Sequence, residues 1–302
     1  MILDLRVKLF CLGLCCIFYI MVSCLLTVTK MDARLLERRQ DQTEFILSNH
    51  RHPTHSLTDI LDNSETMRRR KAPKINWCKP LGLKTSPGPL VALASFPGSG
   101  NTWLRYLIQQ ATGILTGSVY RDYALLKNGF PAESISNGSV IAVKTHEYGS
   151  QARKDFDKAI LLVRDPFSSV LAEFNRRWGG HIGHANNAKF RRENGKVWRD
   201  FVLTKGEAWE TMNLDWALNF KGPRLVVFYW QLCKNTEEEL KRILEFLEIQ
   251  ISDETLQCVM ESKEGIYRRP KKPRSPDLFD PDLTNYLKLK QKKVFRTLRN
   301  LS

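Results

Sequence analysis

The chain has 302 residues, 42% of them hydrophobic and 26% charged, with a formal net charge of +15. This length and composition exclude a wholly disordered chain and provide for one sizeable core, or for two small domains. The excess of Lys and Arg favours an anionic partner: nucleic acid, a membrane surface, an acidic glycan or a phosphorylated cofactor.

In chain order, residues 9–28 are almost wholly apolar and carry no charge. About 20 helical residues cross the hydrocarbon core of a bilayer, whereas a cleaved signal peptide has a shorter apolar stretch of about 7–15. We therefore expect a cytosolic tail at 1–8 and one transmembrane anchor at 9–29, although Val22-Ser23-Cys24 resembles a cleavage site. Arg6 and Lys8 precede the span and favour a lumenal body, while Lys30 and Arg34 behind it favour the reverse. Asn137-Gly138-Ser139 and Asn300-Leu301-Ser302 are glycosylation sequons and accord with a lumenal body. Residues 30–88 are polar, with the basic run Arg68-Arg69-Arg70-Lys71 and no sustained apolar period, and read as a flexible stem.

The domain is expected at 89–302. Apolar runs at 90–94, 140–143, 159–163 and 225–229 read as buried strands. Helical spacing is found at 102–111, 166–176 and 236–247, the last opened by Thr236 and Glu239 at capping-box spacing. Short apolar strands alternating with helices predict an α/β fold: a P-loop-like three-layer sandwich with a central parallel sheet. Of the cysteines in the body, Cys78, Cys233 and Cys258, none forms a Cys-x-x-Cys pair, so no zinc or other metal is expected. Cys233 and Cys258 flank a helix and are read either as a bridge or as two buried thiols.

Three motifs carry chemistry. Ser95-Phe96-Pro97-Gly98-Ser99-Gly100-Asn101-Thr102-Trp103 follows a strand and opens a helix, where glycines let backbone amides converge on phosphate or sulfate. It lacks the Gly-Lys-Ser/Thr triplet of a kinase or nucleotide-hydrolase P-loop. Lys144-Thr145-His146 is placed directly after a strand, where α/β sheets bind ligands; lysine can neutralise a transferring group and histidine can deprotonate a hydroxyl. Arg164-Asp165-Pro166-Phe167-Ser168-Ser169 places an arginine at a strand end, suited to gripping phosphate.

In this order the motifs resemble the PAPS-dependent sulfotransferases. The resemblance implies a phosphosulfate loop at Pro97, Gly98, Ser99, Gly100, Asn101 and Thr102, with Trp103 stacked on adenine. It implies His146 as catalytic base and Arg164 with Ser168 at the 3′-phosphate, joined by Lys263, Arg268 and Arg269. Trp209 and Trp216, seven apart, resemble a family helix near the adenine. PAPS would be the donor and PAP the product, with no metal. The family's loop lysine is replaced by Gly98, so Lys144 is expected to supply that charge. Its serine eight residues after the arginine is replaced by Ala172, for which Ser168 or Ser169 could stand in. Glu147 and Glu173 are alternative bases, or residues that orient His146.

Phe96 to Trp103, Val143 to Glu147, Ala172 to Arg176 and Gly179 to Gly183 further resemble the catalytic domain of the WSC-domain-containing (sialate O-sulfotransferase) family. That likeness implies residence in the Golgi membrane as a single-pass type II protein, with an acidic or sialylated glycan as acceptor. The cysteine-rich WSC modules are absent. A catalytically inactive glycan-binding protein on the same fold is the rival reading, and a lumenal body argues against nucleic acid. The oligomeric state is not legible.

Overall fold

Five parallel strands form the centre of the computed structural model, which describes residues 75–267 and 278–301. They are β1 (Val91–Ser95), β2 (Gly117–Ser118), β3 (Val143–Thr145), β4 (Lys158–Val163) and β5 (Arg224–Phe228), in the order β2-β3-β1-β4-β5. The helices are α1 (Asn101–Thr112), α2 (Tyr123–Lys127), α3 (Ser150–Arg153), α4 (Pro166–Gly179) and α5 (Asn187–Arg191). They continue with α6 (Lys196–Asn219), α7 (Tyr229–Lys234), α8 (Thr236–Phe246), α9 (Asp253–Glu261) and α10 (Pro281–Arg299).

The continuous apolar runs become strands because both faces of the sheet are covered. Ala92, Ala94, Leu161 and Val163 face a core built from α4, α6 and α10, where Phe174, Trp198, Trp209 and Leu287 are buried. Val91, Leu93, Ile160 and Leu162 face the opposite core, built from α1, α8 and α9 with Leu104, Leu107, Ile243 and Val259. The result is the expected α/β sandwich. β1 pairs with β3 on one side and β4 on the other, so the chain leaves β1 toward one edge and later returns past it. Such a reversal opens a crevice at the carboxyl ends of the strands.

Several expectations are corrected. Val140, Ile141 and Ala142 are buried but precede the strand, which starts at Val143. The Ile141 amide donates to Leu115 O and the Gly117 amide to Ala142 O, an irregular crossing ahead of the parallel ladder. Lys144 and Thr145 therefore lie within β3, with only His146 beyond its end. α4 runs to Gly179, well past residue 176. The capping box is not formed: Asn235 is the N-cap without a side-chain bond, and the Glu239 carboxylate accepts from Arg242.

The fold also reaches further back than residue 89. Ile75, Trp77 and Cys78 pack on the α1 side of the sheet. Gln110 accepts from the Cys78 amide and donates to Asn76 O, and Gly82 bridges to Ile114. Cys78 is bonded to Cys258 of α9, Cα atoms 5.9 Å apart, whereas Cys233 is exposed and outside any disulfide. The Cys233–Cys258 alternative is thus replaced by a bridge that pins the early segment to α9. The anchor expected at 9–29 and the stem up to residue 74 lie outside the described residues, among which no helix is long and apolar enough to cross a membrane.

The bridge closes a separation of 180 residues, so it restricts the unfolded chain strongly. Cys258→Ser is expected to lower unfolding free energy by about 2–5 kcal/mol in denaturant titrations. Reducing agent should bring the wild type to the same value and leave the variant unchanged.

Candidate active site

The crevice at the strand ends opens into a cavity of about 760 Å³. Its floor begins with the loop from β1 to α1. Gly98 has φ +81° and Gly100 φ +98°, in the region that favours glycine. A Cβ on Gly98 would stand 2.6 Å from Ser169 O and 3.0 Å from Ala172 Cβ, while one on Gly100 would strike the Tyr229 ring. The loop backbone is therefore pressed between α4 and Tyr229. Gly100 gives α1 no side-chain cap, which leaves first-turn amides and the positive end of a 12-residue helix for an anion.

Asn101 fastens this helix start to β1, its Nδ2 donating to Leu93 O and Ser95 Oγ at 3.0 Å each. Arg164, just past β4, donates from Nη1 to Gly98 O at 2.9 Å, and its guanidinium lies 4.5 Å from the Tyr229 ring. Asn101 Oδ1, Ser99 Oγ and Arg164 Nε are buried without a hydrogen-bond partner. Buried polar atoms are normally satisfied, and Arg164 Nε, on a residue that lines the cavity, is a donor left over for an anion. Across the cavity, Trp103 Nε1 donates to Lys263 O at 2.6 Å and Tyr106 Oη to Ser262 O at 2.7 Å, which ties the 262–265 turn to α1.

The reactive edge comes from β3. His146 Nδ1 lies 2.6 Å from Ser95 O. A carbonyl only accepts, so Nδ1 carries the proton and Nε2 keeps its lone pair. The His146 amide donates to Tyr120 Oη at 3.0 Å, and that hydroxyl donates to Glu147 Oε1 at 2.8 Å. Burial, with Lys144 and then Arg176 nearby, lowers the His146 pKa to about 3, so the ring stays neutral near neutral pH. Lys144 is buried, its Nζ 3.7 Å from Glu133 Oε1. Burial lowers its pKa to about 8 although Glu133 opposes this.

Of the expected site residues, Pro97, Gly98, Gly100, Asn101, Thr102, Trp103, Lys144, His146, Arg164, Ser168 and Lys263 line the one cavity. Ser99 is buried beneath the loop and does not line it. Arg268 and Arg269 lie outside the described residues. Of the two serines, Ser168 lines the cavity, whereas the buried Ser169 hydroxyl donates to Asp165 O at 2.8 Å. Trp209 and Trp216 are fully buried and outside the cavity lining. Their indole N–H groups donate to Arg164 O at 2.9 Å and Glu147 O at 2.8 Å. Two turns of α6 thus hold the ends of β4 and β3, which is a supporting role.

Neither carboxylate touches the His146 ring. Glu147 orients Tyr120, and Glu173 is ion-paired to Arg176 at 2.7 Å and Arg177 at 3.1 Å. Those arginines hold the buried Glu173 carboxyl down at about 2, too acidic for a base. Asn175, Arg176, His181, His184 and Tyr229 also line the cavity and were missed as site residues. Arg176 and His181 fall within the segments of family likeness, which was the available signal; nothing singled out Tyr229. His181 Nε2 lies 2.8 Å from Asp122 Oδ2, joining the end of α4 to the start of α2.

Residues 139–263 match the Sulfotransferase domain family. A WSCD family member of Aedes aegypti is 47% identical over 265 residues, covering 78% of this chain and 84% of that protein. The chain belongs to the WSCD family. A second WSCD family member, from Drosophila melanogaster, is 59% identical over 192 residues, 64% of this chain and 60% of that protein. A solved mouse sulfotransferase complexed with PAP aligns at 18% identity and a TM-score of 0.45, over 69% of this chain and 84% of that one. This WSCD chain thus carries a sulfotransferase domain whose matched segment spans β3, β4 and β5, with His146, Arg164 and Lys263 inside it.

The departures at Gly98 and Ala172 are one feature, since the two residues face each other. With α4 this close, residue 98 has no room for a lysine. Gly98→Ala is expected to destabilise the domain by about 2–4 kcal/mol, from positive φ and the clash with Ser169 O. Ala172→Gly should not rescue it, because that carbonyl remains; denaturant unfolding of the single and double variants checks both statements.

Proposed function

We propose that this protein transfers a sulfuryl group from PAPS to a hydroxyl of an acidic or sialylated glycan. The observation that carries the reading is one cavity uniting a tautomer-fixed neutral histidine, a buried lysine and an uncapped helix start crossed by Arg164. The unpaired Arg164 Nε donor beside the loop fits an anionic nucleotide there. First-turn amides of α1 and the Thr102 side chain would hold the phosphosulfate. Arg164, Ser168 and Lys263 would hold the 3′-phosphate, and Trp103 would face the adenine. When bound, PAPS supplies an activated sulfuryl group on a phosphate leaving group.

The chain's own residues do the rest by position and electrostatics. His146 Nε2 takes the proton of the acceptor hydroxyl as the new S–O bond forms. Ser95 O keeps the ring aligned and stabilises the imidazolium through Nδ1–H. Lys144 balances the charge that grows on the bridging oxygen as the old S–O bond breaks. The anionic donor offsets the cations that depress His146 and raises its basicity when the site is filled. Arg176 on the cavity wall suits an acidic acceptor.

Full-length enzyme in detergent, given radiolabelled PAPS and a panel of sialylated and desialylated glycans, should label sialylated acceptors. His146→Ala is expected to lose about 10²–10⁴-fold in turnover, and Lys144→Ala a comparable amount. Folded variants with near wild-type turnover would sink the mechanism, and label on desialylated glycans would remove sialic acid alone.

The proposal extends to a single-pass type II protein of the Golgi membrane with a lumenal body. The Cys78–Cys258 bridge supports it, because disulfides persist in oxidising compartments. Asn137 is exposed and its Oδ1 accepts from the Ser139 amide and hydroxyl. Glycosidase treatment of protein from cells should increase mobility, and Asn137→Gln with Asn300→Gln should abolish that change. Wild-type protein indifferent to the glycosidase would count against a lumenal body.

A further inference from the structure

Behind Lys144 lies a buried charge cluster that the mechanism above does not use. Arg105 of α1 and Glu133, from the segment between α2 and β3, have fully buried side chains, with Arg105 Nη2 2.7 Å from Glu133 Oε2. Two of the guanidinium nitrogens have further partners, while Nη1 is buried without one. Nε donates to Thr116 Oγ1 at 2.9 Å, Nη2 to Thr116 O at 3.1 Å, and the group lies 4.2 Å from the Phe130 ring centroid. The second carboxylate oxygen faces Lys144 Nζ at 3.7 Å. That distance is too long for a hydrogen bond, so Glu133 attracts the ammonium without taking one of its hydrogens. Ser134, next to Glu133, holds φ +81°, a conformation few non-glycine residues adopt.

Two cations thus share one buried carboxylate, and only one of them reaches the cavity. An isolated ammonium at this depth would shed its proton to escape desolvation. We propose that Glu133 is a positioning residue that keeps Lys144 a cation facing the cavity, with Arg105 as the counterweight that limits its pull. The proposal rests on the role given to Lys144 above. The charged and titratable groups around Lys144 are Glu133 and Asp122, which favour the ammonium, and Arg105 and Arg176, which oppose it. His146 and Tyr120 complete the surroundings. His146 is neutral, and burial raises the Tyr120 phenol well above its ordinary pKa. Arg105 and Glu133 are then a matched pair: removing either changes Lys144 in opposite directions.

The sign follows directly. A working Lys144 is protonated, so kcat/KM, which reports the free enzyme, is full below its pKa and falls as pH rises through about 8. Glu133→Gln removes the attraction and should move this alkaline limb down by about one pH unit. Arg105→Gln removes the repulsion and should move it up. Glu133→Asp, which keeps the charge, should lie nearer the wild type. The measurement is kcat/KM for PAPS against pH for the enzyme and these variants, with Lys144→Ala alongside and folding checked by thermal melts. A purely structural role would lower activity at every pH without moving the limb. If Glu133→Gln does not fold, the upward shift in Arg105→Gln decides. An inactive Lys144→Ala with a stationary limb in the folded variants overturns this proposal alone. An active Lys144→Ala overturns the lysine's role and this proposal with it.

Discussion

The backbone of Gly98 lies against the carbonyl of Ser169 with no room for a side chain between them, and much of the site follows from that contact. It brings α4 onto the loop after β1, so Ala172 and Ser168 reach the same cavity as the first turn of α1. It lets Arg164 close the gap from β4 with a hydrogen bond to Gly98 O. It also forbids a loop lysine. The proposed mechanism therefore draws its positive charge from another strand, where Lys144 on β3 is buried and lines the cavity with His146. A change at one loop position thus reaches across three strands, because parallel strands bring their carboxyl ends to one edge.

A charged group placed in so enclosed a site needs support from behind. Lys144 has it from the Glu133–Arg105 pair, and His146 from Ser95 O, Tyr120 and the indole of Trp216 acting through Glu147. None of these supports presents its working atom to the cavity. Ser95 O holds the His146 ring at Nδ1 and Glu133 faces the Lys144 ammonium at 3.7 Å, while Tyr120 and Trp216 fix the strand end behind them. Glu173 serves the opposite wall in the same way, neutralising one of two adjacent arginines and anchoring Arg176.

Membership of the WSCD family accords with this construction: the sulfotransferase-domain match runs through the three strands that carry His146, Arg164 and the approach to Lys263. The disulfide between Cys78 and α9 extends the domain backward, so a segment that is polar in sequence belongs to the fold. Its few apolar residues, Ile75 and Trp77, carry no periodicity and become recognisable only once α1 and Tyr106 offer them a surface.

The sequence by itself determined the α/β class, the parallel sheet and the part of the cavity's lining that comes from the loop after β1, from the ends of β3 and β4, and from Ser168 and Lys263. Those properties reside in local patterns: apolar runs of strand length, glycines before a helix start, and polar residues at strand ends. Only the tertiary structure decided which cysteines meet, that residues 140–142 precede the strand, that Thr236 caps nothing, and that Trp209 and Trp216 serve the strands. It also placed Glu133 and Arg105 behind Lys144 and set Ala172 against Gly98. Each of these depends on atoms far apart in the chain. Their energies come from burial, close contact and unscreened charge, which exist only after the layers have packed.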